Sequence, residues 1–230
     1  MLYYDFHIHS ALSPCGDEDM TPNNIVNMAA ISGLDAIAVS DHNSVKNVRA
    51  AMEVGKSVGV AVIAGMEVET EEEVHILTLY PSPDAAEAAA AEVYKALPDI
   101  KNRPEIFGRQ LIMDAEDNIT GIEEKLLISP AAMSVNRLFD VVKSVGGLFI
   151  PAHVDRHSYS VLTNLGFIPD DLDIRRIEVS KSTADLAAYL DGRPELKKYE
   201  IMRNSDAHYL ADISQRGAYL EIGTADELFS

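Results

Sequence analysis

Leu2-Tyr3-Tyr4-Asp5-Phe6-His7-Ile8-His9 is the stretch from which the rest of the chain can be read. Its aromatic and branched residues predict a strand over residues 2–9, and that strand ends on two imidazoles one residue apart. Side chains alternate across a strand, so residues i and i+2 face the same way and can reach one ion. Near the other end of the chain, Arg203-Asn204-Ser205-Asp206-Ala207-His208 repeats the device with Asp206 and His208. The two pairs read as the beginning and end of one site.

Between them, strand and helix signals alternate as in a parallel-stranded α/β protein. Thr21-Pro22 offers a helix cap and a first-turn proline, with Gly33 closing that helix. Residues 36–40 form an apolar strand ending at Asp41-His42, and Ser44 is expected to cap a helix running to about Gly59. Residues 60–64 predict another strand ending near Gly65-Met66-Glu67, residues 75–80 one that begins on His75, and the alanine-rich stretch 84–97 a helix. A helix over 138–145, stopped by Gly146-Gly147, leads into a strand over 148–151 and then Ala152-His153. Strands over 177–180 and 201–204 follow, the latter ending at the Asp206/His208 pair. The 230 residues, 47% hydrophobic, suit one domain spanning residues 1–230. Within it, residues 99–130 lose apolar periodicity and read as an insertion or cap. His9, His42, Glu67, His153 and His208 thus each fall at or just past a strand's C-terminal end. In a closed parallel barrel such ends face one another.

Charge and cysteine usage narrow the classes. The formal net charge of −18 argues against an extended basic surface for nucleic acid, so any phosphate-bearing partner is expected to be small or bound locally. The single cysteine, Cys15, permits no intrachain disulfide. No stretch approaches about 20 apolar residues, so no membrane partner is expected and the chain is expected to be cytoplasmic. Oligomeric state is not readable.

The seven histidines are His7, His9, His42, His75, His153, His157 and His208. Any one alone is more often a surface or core residue than a ligand. Their joint placement with Glu67 and Asp206 suits divalent zinc, manganese or iron, since calcium and magnesium favour all-oxygen shells. In the loop Ser13-Pro14-Cys15-Gly16-Asp17, either Cys15 or Asp17 could add a ligand, and Asp17 is preferred. Asp41 could orient a ligand or cap a strand. The acidic run Glu69, Glu71, Glu72 and Glu73 reads as a solvated loop. Were the site to take a phosphate, it would need a positive group as well. Arg156 is the first choice, Lys181 the second, while Arg203 and His157 read as solvated side chains.

Taken together, His7-Ile8-His9-Ser10, Ser40-Asp41-His42, Gly65-Met66-Glu67, His75, Pro151-Ala152-His153 and Ser205-Asp206-Ala207-His208 resemble the PHP (polymerase and histidinol phosphatase) domain family. The resemblance covers nearly the whole chain outside residues 99–130. It implies a distorted (β/α)7 TIM-like barrel with a small insertion, holding two or three metal ions. A first ion would be held by His7, His9, Glu67 and Asp206, and a second by His42, His208 and the loop ligand. A third, bridged by Glu67, would be completed by His75 and His153. The implied chemistry is hydrolysis of a phosphomonoester by a metal-bridged hydroxide, with Arg156, Asp206 and His208 in the catalytic constellation. Nucleoside 3′,5′-bisphosphates or short 5′-phosphorylated oligonucleotides are the first substrates to expect, and histidinol phosphate the next. An amidohydrolase-type metal hydrolase and a non-catalytic metal-binding domain are the competing classes. Neither a G-x-S-x-G elbow nor a P-loop occurs, which leaves serine-hydrolase and nucleotide-triphosphatase readings without their parts.

Overall fold

A computed structural model describes residues 1–230. Its strands are β1 (Leu2–Ile8), β2 (Ala36–Val39), β3 (Ala61–Glu69), β4 (His75–Tyr80), β5 (Leu111–Met113), β6 (Ile119–Ile122), β7 (Leu148–Pro151), β8 (Arg176–Glu178), β9 (Glu200–Met202) and β10 (Tyr219–Leu220). The helices are α1 (Pro22–Ile31), α2 (Val48–Val58), α3 (Pro83–Ala96), α4 (Pro104–Phe107), α5 (Val135–Ser144), α6 (Val161–Asn164) and α7 (Leu186–Asp191). No helix is long and apolar enough to cross a membrane.

A curled six-stranded sheet in the order β10-β1-β2-β3-β4-β7 carries the fold, and β8 with β9 forms a short parallel pair. Backbone bonds from Val154 N to the Glu178 carbonyl (2.9 Å) and from His9 N to the Ala207 carbonyl (2.9 Å) join that pair to β7 and β1. Strict β/α alternation fails in the middle. β3 runs on through Glu69 and turns back into β4 as an antiparallel hairpin, so Glu67 lies inside a strand and not just beyond one. The cause is local: apolar residues alternate with inward ones through residue 69, and Glu73, in the left-handed region (φ 56°), makes the turn. The acidic run is therefore not uniformly solvated. Glu69 is buried, and the Glu72 carboxylate accepts from Val135 N at the start of α5.

Helix boundaries follow their caps. Thr21 caps α1 and Pro22 takes its first turn as expected, burying Ile25, Val26 and Ala29 on one face. The start expected at Ser44 for α2 moves to Val48, because Asn43 is left-handed (φ 51°) and Asn47 is engaged elsewhere. Its amide bonds the Leu111 carbonyl and its carbonyl oxygen accepts from Met113 N. Residues 99–130 hold α4 and the β5–β6 hairpin, so this segment has structure of its own.

Two apolar layers sandwich the sheet. Tyr4, Phe6, Ala38, Leu77, Leu79 and Ile150 cluster together, whereas Ile8, Ile37 and Val39 pack with α1 and α2. The pairing of β1 with β2 shows why Ile8 and Phe6 part company: Asp5 pairs Ile37 but Ile8 pairs Val39, so three steps on β1 meet two on β2. This bulge breaks the alternation once, leaving Phe6 inside and turning His7 and His9 inside after it. Without it, the period of two would send both imidazoles toward the helices.

Candidate metal centre

His7 and His9 sit where the inner face of the sheet opens above Phe6, and the C-terminal pair lies beside them. Ala207 N donates to the His7 carbonyl (3.2 Å), and His9 N to the Ala207 carbonyl (2.9 Å). Ala207 thus runs parallel to Ile8 as one further strand position. His42 is placed similarly next to Glu67, through Glu67 N to the Asp41 carbonyl (3.1 Å) and Asn43 N to the Glu67 carbonyl (2.8 Å). Sequence-distant ligands meet because backbone pairing continues past the strand ends.

Glu67 is the hub. Its Oε1 lies 2.9 Å from His75 Nδ1, 3.2 Å from His153 Nε2 and 3.2 Å from His7 Nε2. Its Oε2 lies 3.2 Å from His42 Nδ1 and 3.4 Å from His9 Nε2. Three groups of donor atoms lie within 4.8 Å of one another: His7, His9, Glu67, Asp206; His9, Cys15, His42, His208; and His42, Glu67, His75. His153 and Asp206 adopt the left-handed backbone at φ 29° and 53°. That strain sits at a site, where surrounding structure can hold it.

Proton positions identify what the centre is built to hold. His7 Nδ1 faces Glu178 Oε2 at 3.0 Å and His9 Nδ1 faces Ser13 Oγ at 2.9 Å. Ser13 in turn donates to Asp41 Oδ1 (2.7 Å), so its oxygen is left to accept. Both imidazoles therefore carry their proton on Nδ1 when neutral and present Nε2 lone pairs to each other at 3.3 Å. Asp206 Oδ1 stands 3.1 Å from His9 Nε2 and 3.4 Å from His7 Nε2. Acceptors aimed at acceptors need a cation between them. The buried His153 Nδ1 has no hydrogen-bond partner, and His42 Nδ1, although 3.2 Å from Glu67 Oε2, is not aligned for a hydrogen bond to it. The donor set of imidazole, carboxylate and one thiol fits zinc, manganese or iron, with Asp41 and Glu178 as the orienting carboxylates behind the histidines.

Glu178 was not singled out from the sequence. Buried on β8, it accepts from His7, from Asn204 Nδ2 (2.7 Å) and from His153 N (3.0 Å). The available signal was one acid between Ile177 and Val179, both of which pack on the other face. In the loop, the structure turns Cys15 and not the preferred Asp17 toward the other donor atoms. The Cys15 sulfur is grouped with His9, His42 and His208, whereas Asp17 turns its Oδ1 back to Asp19 N (2.9 Å). Asp17 N donates to the His208 carbonyl (2.9 Å), which fixes the loop in that direction. Lys181 is likewise not brought to the centre: its ammonium donates to the Asp212 carbonyl. Arg156 is brought there, its Nη1 2.7 Å from Asp206 Oδ2. His157 is exposed, as expected.

The cluster's electrostatics predict how its metal-free form responds to pH. Burial disfavours charged imidazole, yet Glu178, Glu67 and Asp206 outweigh it and raise His7 well above 6.5. Against the same desolvation, hydrogen bonds to Asp206 and Glu67 lift His9 to about 8, and the charge of Glu67 lifts His75 to about 9. Burial lowers His42 well below 6.5, and burial with the charge of His9 lowers His208 to about 4. The raised groups contribute stability that is complete below 6.5 and lost as pH rises through about 8 to 9. The lowered groups cost stability as pH falls below 6.5. Denaturant unfolding of the metal-free protein is therefore expected to show its maximum stability near pH 6.5 and to lose stability as pH rises through about 8 to 9. A continuous rise through pH 9.5 would contradict these assignments.

Cys15 supports a second prediction. Its surface is open, but its sulfur faces the crowded centre, where desolvation and then the charge of Glu67 push the thiol up to about 12. A divalent ion reverses that penalty, since a coordinating thiol is deprotonated outright. Cobalt-loaded protein is expected to show a thiolate-to-metal band in the near ultraviolet that disappears in Cys15→Ser. An identical spectrum in the variant would exclude the sulfur as a ligand.

With this geometry in place, the comparisons become interpretable. The family profile described as PHP domain matches residues 5–137. The phosphoribosyl 1,2-cyclic phosphate 1,2-diphosphodiesterase of Eggerthella lenta is 34% identical over 91 residues, covering 37% of this chain and 34% of that protein. The 5′-3′ exoribonuclease of Haemophilus influenzae is 33% identical over 79 residues, covering 33% and 28%. The chain thus matches about a third of the length of these curated relatives. The lesion-specific endonuclease PfuEndoQ from Pyrococcus furiosus superposes with a TM-score of 0.73 at 18% identity, over 99% of this chain and 55% of that one. At that identity the match shows the shared fold.

Proposed function

Because the chain belongs to the PHP domain family, whose profile matches more than half of it, we propose that it is a metal-dependent phosphoesterase acting on a small nucleotide-type phosphate ester. The observation that carries the reading is the Glu67 hub, whose two oxygens each face imidazoles of different donor groups. We read β1, β2, β3, β4, β7, β8 and β9 as a seven-stranded distorted barrel, closed by the β8–β9 pair through β7 and β1 with β10 left outside it, and with the centre at its open end. Nucleoside 3′,5′-bisphosphates and short 5′-phosphorylated oligonucleotides are the substrates proposed first. The names of the curated relatives, a phosphoribosyl cyclic-phosphate diphosphodiesterase and an exoribonuclease, favour phosphate esters, the second of them of nucleotide chemistry.

The side chains divide the work. His7, His9, Glu67, Asp206, Cys15, His42, His208, His75 and His153 would hold two or three zinc, manganese or iron ions. When bound, such ions supply Lewis acidity to water and to phosphoryl oxygens at neutral pH. Glu178 and Ser13 hold the Nδ1 protons of His7 and His9, fixing the tautomers that leave both Nε2 atoms available. His208 is fixed in the same sense, with Nδ1 donating to the Asp206 carbonyl at 2.9 Å. Arg156, 43% exposed at the mouth, is the cation that receives the phosphoryl group, its guanidinium turning from Asp206 Oδ2 to the substrate. The mouth is open to solvent at Arg156, so water can reach the leaving oxygen with a proton.

The test is a substrate panel on chain stripped of metal and reloaded with manganese or zinc. A nucleoside 3′,5′-bisphosphate, a short 5′-phosphorylated oligonucleotide, histidinol phosphate, and amide and lactone esters would be compared. Release of phosphate or nucleotide that requires added metal and is greatest for the first two is the expected result. Turnover confined to amides or lactones, or none with any ester under full metal loading, would overturn the proposal.

A further inference from the structure

The pocket above the Glu67 hub has one wall that metal chemistry does not require. It encloses about 260 Å³, with His42, Glu67, His75, Asp206 and His208 toward the metal-ligand side and Arg156 at the mouth. Its remaining lining includes Tyr159 and Ile128, two apolar side chains beside a cluster of ionisable groups. Tyr159 lies on His75 with ring centroids 4.8 Å apart and planes 26° apart, yet the residue is 46% exposed. An aromatic surface facing water at the rim of a charged site is not needed to fill the core.

The chain goes to some length to keep that ring there. Tyr159 is left-handed at φ 55°, unfavourable for a bulky residue. Three bonds pin its loop: His75 N donates to the Tyr159 carbonyl (2.9 Å), and Ser160 Oγ (2.9 Å) and Thr163 Oγ1 (2.8 Å) both donate to the Arg156 carbonyl. One loop therefore presents the cation and the ring together, three residues apart. Ile128 comes from a different stretch of chain, near the end of the 99–130 segment, and the buried neighbour Leu127 anchors it through Leu127 N to Gln110 Oε1 (2.9 Å).

From this juxtaposition we infer that Tyr159 and Ile128 form a ring-binding subsite, so that the site selects phosphate esters whose alcohol part carries a flat aromatic or heteroaromatic ring. This deepens the phosphoesterase reading and rests on it for the position of the phosphate. Arg156 and the metal side take the phosphoryl group, and the ring packs on Tyr159 with Ile128 opposing it. An aromatic platform is tolerant of the ring's identity, because every base or aryl group offers a π-face. The 99–130 segment then contributes selectivity, not only cover.

The experiment is equilibrium binding, which does not depend on turnover. Zinc-loaded protein is titrated calorimetrically with phenylphosphonate and with methylphosphonate, which share the anion and resist hydrolysis. The wild type is expected to bind phenylphosphonate about tenfold more tightly. Tyr159→Ala is expected to bring the two affinities within about twofold, Tyr159→Phe to keep the preference, and Ile128→Ala to reduce it. Equal affinities in the wild type, no binding of either, or a preference that survives Tyr159→Ala would each overturn the subsite. Metal-dependent hydrolysis without phosphonate discrimination would refute the subsite alone. Discrimination without hydrolysis of any ester would refute the function alone.

Discussion

Glu67→Gln is expected to abolish the centre's chemistry while leaving the fold standing. The side chain keeps its size and one carbonyl oxygen, but it loses the charge that faces His7, His9, His42, His75 and His153 at 2.9–3.4 Å. It can no longer offer two anionic oxygens to different donor groups. A bridging carboxylate keeps neighbouring cations close despite their repulsion, so its loss is expected to lower ion content and to cut kcat/KM by about 10³ or more. Burial drives Glu67 toward the neutral form, but the surrounding imidazoles, His75 first, hold its carboxyl well below the usual carboxylate range. In the metal-free form the variant should therefore lose the lift on His75 as well. Elemental analysis, steady-state kinetics and a circular dichroism spectrum on the same preparation check ion content, turnover and fold. A folded variant with wild-type turnover and metal content would remove Glu67 from the account.

Glu178→Ala is expected to act without touching an ion. The substitution strips His7 Nδ1 of its partner at 3.0 Å and leaves Asn204 Nδ2 and His153 N buried without an acceptor. Losing an orienting carboxylate behind a ligating histidine typically costs 10–100-fold in metal affinity. The stranded polar groups should lower stability by roughly 2–4 kcal/mol. Glu178→Gln, which can still accept from His7 through its amide oxygen, is expected to fall between. Competition against a chromophoric chelator measures the first effect and denaturant unfolding the second. Wild-type metal affinity in Glu178→Ala would show that His7 needs no positioning.

Much of this centre was legible because its ligands come as polar punctuation at the ends of apolar strands. His9, His42, His153 and the Asp206/His208 pair could be picked out that way, Glu67 was read at a strand end that proves to lie inside β3, and the structure gathers all of them with His7 and His75. What could not be read depends on pairing. The bulge in β1 is a property of two strands' register, and the period of two within β1 gives no hint of it. Glu178 looks like a strand residue until its neighbours are seen to face the opposite side. Which of Cys15 and Asp17 faces the other donor atoms depends on a loop whose direction is set by a backbone bond to His208, far away in sequence. The antiparallel β3–β4 hairpin and the start of α2 were displaced by tertiary partners that local propensity does not record.

Anomalous diffraction from crystals grown with manganese or zinc tests the central claim most directly. The account predicts at least two peaks at ligand distance from His7, His9, His42, Cys15 and Asp206, with Glu67 between them and the ions about 4 Å apart. A map with no peak at Glu67, under conditions where the protein hydrolyses its ester, would contradict it.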